Sequence, residues 1–169
     1  SANDPIELNE ACEILTKYGA DLIDLNCGCP VAKIRSKGTG SKLLSTPDQL
    51  CKLIASMRSA TDIPISVKVR VDGTSGENFN ADVIDVINES KIDFVVVHGR
   101  HWTERYDVEC KYAEITKFVE RVNKPVIGNG DVSDKQSLEK MLATGCDGAM
   151  VSRAGVGRPW IFQELIAQM

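Results

Sequence analysis

Five times along this chain a short apolar run is followed by a stretch with helical spacing, and that alternation limits the fold more than any other feature. The runs cover 21–25, 65–69, 94–97, 125–127 and 147–151. The helical stretches cover 6–18, 46–60, 79–90, 112–122 and 134–143, and a last one opens at Pro159. Strands joined through helices run parallel, because parallel neighbours need a long crossover. Runs such as Phe94-Val95-Val96-Val97 are apolar on both sides of the pleat, which implies that both sheet faces are covered. A doubly wound sheet and a (β/α)8 barrel both satisfy this.

Local signals add detail. The 6–18 helix places Ile6, Ala11, Ile14 and Leu15 on one face, the face expected to be buried, and Gly19 stops it. Thr46 is expected to cap the next helix, with Pro47 at its first position.

Polar residues favour the barrel, because they recur at the C-terminal end of every strand. They are Asn26, Lys68 with Arg70, His98, Asn129 with Asp131, and Ser152 with Arg153. Barrels carry their active sites at that end. A closed barrel needs eight strands and roughly 250 residues, whereas this chain has 169. The expected architecture is α/β, a partial TIM (β/α)8 barrel of about strands four to eight. Residues 1–169 are then a single fragment of a catalytic domain. A start at Ser1 rather than Met fits a segment from inside a longer protein.

The formal charge of −4 gives the chain alone no broad attraction for polyanions or membrane surfaces. No apolar run reaches the length of about eighteen residues that a spanning helix takes, and the first residues do not resemble a signal peptide. Cys12, Cys27, Cys29, Cys51, Cys110 and Cys146 sit mostly in apolar patterns. They read as free thiols of a protein in a reducing cytoplasm, not as a disulfide framework.

Cys29 follows a strand in the turn Asn26-Cys27-Gly28-Cys29-Pro30, which would hold its thiol at the barrel mouth. A cysteine thiol ordinarily titrates at about 8.5, so at neutral pH it is mostly protonated and can act as an acid. The plain alternative is a small packing residue. A metal site is not expected: Cys27 and Cys29 point apart, and His98 and His101 have no ligand spacing.

Lys68 and Arg70 share one face of their strand. Two cations facing a barrel interior suggest an anionic ligand, unless the strand has ended and both are solvated. His98 can hydrogen-bond a ring or move a proton, or be a satisfied structural histidine. Arg100 pairs with Glu104 in the plain reading. The glycine loops Asn129-Gly130-Asp131 and Ser152-Arg153-Ala154-Gly155 can form a phosphate site through backbone N–H groups. Lys33, Arg35, Lys37 and Lys42 form either a basic lip for a polyanion or a solvated loop.

Taken together, the segments Asp24-Leu25-Asn26-Cys27-Gly28-Cys29-Pro30, Val67-Lys68-Val69-Arg70, Val97-His98-Gly99-Arg100, Pro125 to Asp131, and Ser152-Arg153-Ala154 with Gly157-Arg158-Pro159-Trp160-Ile161-Phe162 resemble the tRNA-dihydrouridine synthases. The last segment is most similar to the bacterial B-type branch. The resemblance implies a flavin barrel that reduces uridine in tRNA, with FMN as cofactor and NADPH as reductant. It implies Cys29 as the catalytic proton donor. Lys68, His98, Asn129, Gly130, Asp131, Ser152 and Arg153 would bind the cofactor, and Asn26, Arg70 and Arg100 the substrate. It also implies early strands and a C-terminal helical tRNA-binding domain beyond this chain. Cys27 and the loop from His101 to Tyr106 depart from the usual family pattern. The alternatives are a dihydroorotate- or dihydropyrimidine-type dehydrogenase acting on free pyrimidines, and a fragment without catalysis of its own.

Overall fold

The computed structural model describes residues 3–73 and 78–167; Ser1 and Ala2 of the N-terminal stretch lie outside them. Strands β1 (Ile23–Asn26), β2 (Ile65–Arg70), β3 (Phe94–His98), β4 (Val126–Asn129) and β5 (Gly148–Met150) alternate with helices. The helices are α1 (Pro5–Lys17), α2 (Ala32–Arg35), α3 (Pro47–Ala60), α4 (Asn80–Glu89), α5 (Tyr112–Arg121), α6 (Lys135–Leu142) and α7 (Ile161–Ile166).

All neighbouring strands are parallel, and their spatial order is their order in sequence. A doubly wound sheet reverses its strand order at a switch point. No reversal occurs among the described residues, and right-handed crossovers then set successive helices on the same face. That is the winding of a barrel. The chain is an α/β partial barrel, as the strand-end pattern suggested.

The helix-facing side chains of the sheet are apolar. Val67, Val69, Val95, Val97 and Val126 pack with Leu53 and Ile54 of α3, Ile84 and Ile87 of α4, Ile115 and Phe118 of α5, and Met141 of α6 in one buried cluster. Each such side chain contributes about 1.5–3 kcal/mol when fully buried. Gly128 lets α6 approach β4, since a Cβ there would overlap the Met141 sulfur.

Local chemistry explains both ends of α1 and the start of α6. The Asp4 carboxylate accepts from the Ile6 amide at 2.8 Å, and Pro5 opens α1. Gly19, at φ +83°, closes it. Asp134 and Ser137 form a reciprocal capping box at α6.

Two expectations are corrected. The buried face of α1 carries Leu8 and Cys12, whereas Ile6, Ile14 and Leu15 are exposed. Helical spacing alone cannot say which apolar stripe meets a neighbour: α1 packs on α3, and its buried residues are Leu8 and Cys12. Thr46 occupies the cap position of α3 but does not cap it. Its hydroxyl donates backwards to the Leu43 carbonyl, at 3.3 Å.

At the N-terminal end of the sheet one device appears twice. Asp93 Oδ2 accepts from the Ile65 amide at 2.8 Å, while the Asp93 amide donates to the Ile65 carbonyl at 2.9 Å. Asp147 makes the same pair of bonds with Val126, both at 2.8 Å. Each aspartate thereby satisfies an amide at a strand start that would otherwise lack a partner.

Candidate functional site

The strand ends converge on one cleft of about 730 Å³, within the usual range for small-molecule sites. The residues that the family resemblance assigns to catalysis, cofactor or substrate all line it: Asn26, Cys29, Lys68, Arg70, His98, Arg100, Asn129, Gly130, Asp131, Ser152 and Arg153; Lys33, Arg35, Lys37 and Lys42 do not. The alternation of the strands explains this. Asn26, Lys68, His98 and Asn129 are neighbours across the sheet, paired Asn26 to Lys68 and His98 to Asn129, and their side chains leave the same face.

The turn that carries Cys29 is held from every side. Asn26 Oδ1 accepts from the Gly28 amide at 3.0 Å and the Cys29 amide at 3.1 Å. The Gly28 carbonyl accepts from Arg70 Nε at 2.6 Å. The Cys29 carbonyl accepts from both the amide and the hydroxyl of Ser41, each at 2.9 Å. Arg35 Nη1 in turn donates to Ser41 Oγ at 2.9 Å, and its guanidinium lies 3.4 Å from the centre of the Trp102 ring. Arg35 is therefore tied into the turn's support rather than to a free basic lip; Lys33 and Lys37 remain exposed. Cys27 is fully buried, and that burial, with Asp24 nearby, pushes its thiol well up. Cys29 is only half-buried and lines the cleft.

Lys68 and Arg70 are strand residues, so the solvated alternative does not hold. Arg70 is buried and donates also to the His101 carbonyl at 3.1 Å. Burial, reinforced by the charge of Arg70, brings the Lys68 ammonium down to about 8. His98 is brought down to about 3, first by burial and then by Arg70, Lys68 and Arg100. It is a neutral imidazole at neutral pH.

Arg100 pairs with Asp131 at 2.5 Å, not with Glu104. Glu104 accepts from Lys111 and from the His101 amide, and these bonds outweigh burial to hold its carboxyl low. Asp131 bridges two arginines, since Oδ1 accepts from Arg153 at 2.9 Å. Burial would raise its carboxyl, but the hydrogen bond and charge of Arg100 outweigh it, and the group is held below the carboxylate range. The acid is thus engaged by two protein cations. Gly130 and Asp131 both have positive φ, +138° and +54°. A Cβ on Gly130 would lie 2.5 Å from Cys110 Sγ, so the loop needs glycine there for space as well as conformation. Asn129 Nδ2 donates to the Met150 carbonyl at 2.9 Å and to Ser152 Oγ at 3.0 Å, tying the two loops together.

Sequence reading missed Tyr106, which lines the cleft with its ring 4.0 Å from the Arg153 guanidinium. It also missed Ser41. Tyr106 lies in a turn and Ser41 in a short 3-10 helix (Gly40–Ser45), and in both only their long-range contacts give them meaning. Among the described residues no group of His, Cys, Asp and Glu could hold a metal ion. No helix among them is long and apolar enough to cross a membrane.

Residues 1–169 match the model of the family described as dihydrouridine synthase (Dus). The chain is 36% identical over 167 residues to tRNA-dihydrouridine synthase B of Yersinia pestis, covering 98% of this chain and 52% of that protein. It is likewise 36% identical over 167 residues to the Escherichia coli K12 enzyme of that name, with the same coverage of both. With the Proteus vulgaris counterpart it shares 32% over 166 residues, 98% of this chain and 51% of that one. The chain spans about half the length of these curated relatives. Among solved structures it resembles that of DHODH from Eimeria tenella in complex with ferulenol, at a TM-score of 0.72 and 14% identity, over 99% of this chain and 54% of that one. That likeness is one of fold.

Proposed function

Because this chain belongs to the dihydrouridine synthase family, we propose that the full-length protein reduces uridine to 5,6-dihydrouridine in tRNA in the cytoplasm, using FMN and NADPH. In this reading the chain is part of its catalytic barrel, completed by early strands and a helical tRNA-binding domain. The observation that carries the proposal is the meeting of a half-buried thiol, two strand cations and a neutral histidine in one cleft.

The cleft fits FMN on its own chemistry. Lys68, at the floor, matches the negative charge that a reduced flavin ring carries, and His98 offers a neutral hydrogen-bonding edge. The loop from Asn129 to Asp131, with Ser152 and Arg153, would hold the phosphate through main-chain amides and one exposed cation. The chemistry FMN supplies when bound is delivery of hydride to C6 of uracil, with NADPH restoring the cofactor.

Cys29 gives the S–H proton to C5, which completes the addition of two hydrogens across the C5–C6 bond; solvent then returns a proton to the sulfur. The hydrogen bonds to the Cys29 amide and carbonyl hold in place the backbone that carries that sulfur at the cleft. Asn26 has its oxygen engaged by the turn, so toward a base it presents only its NH2, a donor for a uracil carbonyl. Arg70 has two donors committed to carbonyls and meets substrate with what remains of its guanidinium. Arg100 is more deeply engaged, and its contribution to substrate binding passes through His98. A tRNA uridine has to leave its stack to reach this cleft, at a cost of a few kcal/mol.

The deciding experiment supplies full-length protein with NADPH and unmodified tRNA, and measures dihydrouridine by mass spectrometry. Formation of dihydrouridine is expected. Oxidation of the reduced flavin by free uracil or orotate, with none by tRNA, would replace this reading with a free-pyrimidine dehydrogenase.

A further inference from the structure

Asp131, Arg100 and His98 form a line of three side chains running into the cleft. Arg100 is 1% exposed, and each of its three guanidinium nitrogens has a partner. Nε donates to the Val108 carbonyl at 2.5 Å, Nη2 to Asp131 Oδ2 at 2.5 Å, and Nη1 lies 3.3 Å from His98 Nε2. A guanidinium has five N–H donors and no acceptor. The imidazole nitrogen that faces it must therefore offer a lone pair, because an N–H there would meet another N–H.

We infer that Arg100, held by Asp131, locks His98 as the neutral tautomer with its proton on Nδ1, so that His98 is a fixed hydrogen-bond donor toward the cleft and not a proton carrier. The ring edge supports the direction. Cδ2 lies on the Gly130 side, 3.5 Å from where a Cβ of that residue would stand. Nδ1 is on the other edge of the ring, away from that loop.

The charges around the ring favour the same state. Lys68 and Arg70 reach it from β2 and Arg100 from the loop after β3, against the single carboxylate of Asp131 from the loop after β4. A second proton on the imidazole would add a fourth positive charge to that group. The tautomer stands on geometry alone; the role of its N–H toward an acceptor atom of flavin or base rests on the proposed function. Asp131 is then a positioning residue acting through Arg100.

The test is the long-range 1H–15N spectrum of the 15N-labelled full-length protein at pH 7. His98 is identified as the ring system lost in His98→Asn. The expected pattern has a protonated Nδ1 and a bare Nε2. A protonated Nε2, alone or with Nδ1, overturns the inference. Asp131→Asn keeps a residue that accepts positive φ while removing the charge, and Arg100→Lys keeps the charge while removing the fork. Both are expected to give a mixture of tautomers; an unchanged pattern in both removes Asp131 and Arg100 from the assignment.

A second readout concerns the ligand. An asparagine amide nitrogen falls near the position of Nδ1 and a glutamine nitrogen near Nε2. His98→Asn is expected to bind FMN at least tenfold more tightly than His98→Gln, and equal weakening by both overturns the donor role. Absence of dihydrouridine formation by the wild type would sink the proposed function and leave the tautomer measurement as it was.

Discussion

The two ends of the sheet handle polar side chains in opposite ways. At the N-terminal end, Asp93 and Asp147 each return to the backbone of the neighbouring strand, and Arg58 joins in by donating to Asp93 and to the Ile63 carbonyl. Polar groups there pair locally. At the C-terminal end, Lys68, Arg70, Arg100 and Arg153 outnumber the one carboxylate, Asp131, that faces the cleft with them. An arrangement that leaves positive charge unbalanced around a cleft does not serve stability, since buried charges cost free energy unless matched. The difference teaches that the second end is built for a ligand and the first for the fold.

The largest effect should come from the ligand end. Cys29→Ala in the full-length protein should lower dihydrouridine formation by roughly 100-fold or more, the usual scale for a lost general acid. FMN binding, read from flavin absorbance, should stay within twofold. Activity like that of the wild type would remove Cys29 from the chemistry.

The fold end should answer with stability instead. Asp93→Ala and Asp147→Ala should each cost about 1–2 kcal/mol in denaturant titration, since each leaves a strand-start amide without its charged acceptor. Neither should change FMN affinity. A change in affinity with unchanged stability would break the division between the two ends.

Lys68 sharpens the contrast through pH. Its pKa in the free cleft is about 8, below the ordinary 10.5 because of burial first and Arg70 second. The folded state therefore binds fewer protons than the unfolded between those values, and Lys68 makes the protein more stable as pH rises through that window. A bound anion favours the ammonium and draws a proton in. FMN affinity should accordingly fall several-fold between pH 7 and pH 9.5, with a limiting slope of about tenfold per pH unit. Lys68→Met should bind more weakly at pH 7 and lose this dependence, as fluorescence titration would show.

The smallest expected effect is at Thr46. Because its hydroxyl points back to the preceding turn, Thr46→Ala should cost less than about 0.5 kcal/mol, against about 1 kcal/mol for Asp134→Ala, which removes a true cap. Equal losses in thermal unfolding would show that the α3 terminus relies on Thr46 after all.

Much of this was legible in the sequence because it depends on neighbours along the chain. Alternating runs gave the strands, and the residue after each run gave the cleft lining. Other features depend on partners far away in sequence. The carboxylate of Asp131 turns to Arg100, thirty-one positions earlier, and no local pattern separates that from a phosphate ligand. Asn26 reads as a substrate group, yet its oxygen holds its own turn. The exposed stripe on α1 looked like core because periodicity reports that a stripe exists and not what lies opposite it.

The paired bonds of Asp93 and Asp147 have a consequence at the far end of the sheet. They work as stops against sliding: Ile65 and Val126 can each sit beside only one partner. A slip of a single residue would exchange the two faces of a strand, turning Lys68 and Arg70 into the helix layer and Val67 and Val69 toward the cleft. The aspartates never touch the cleft, yet they decide which way its cations aim.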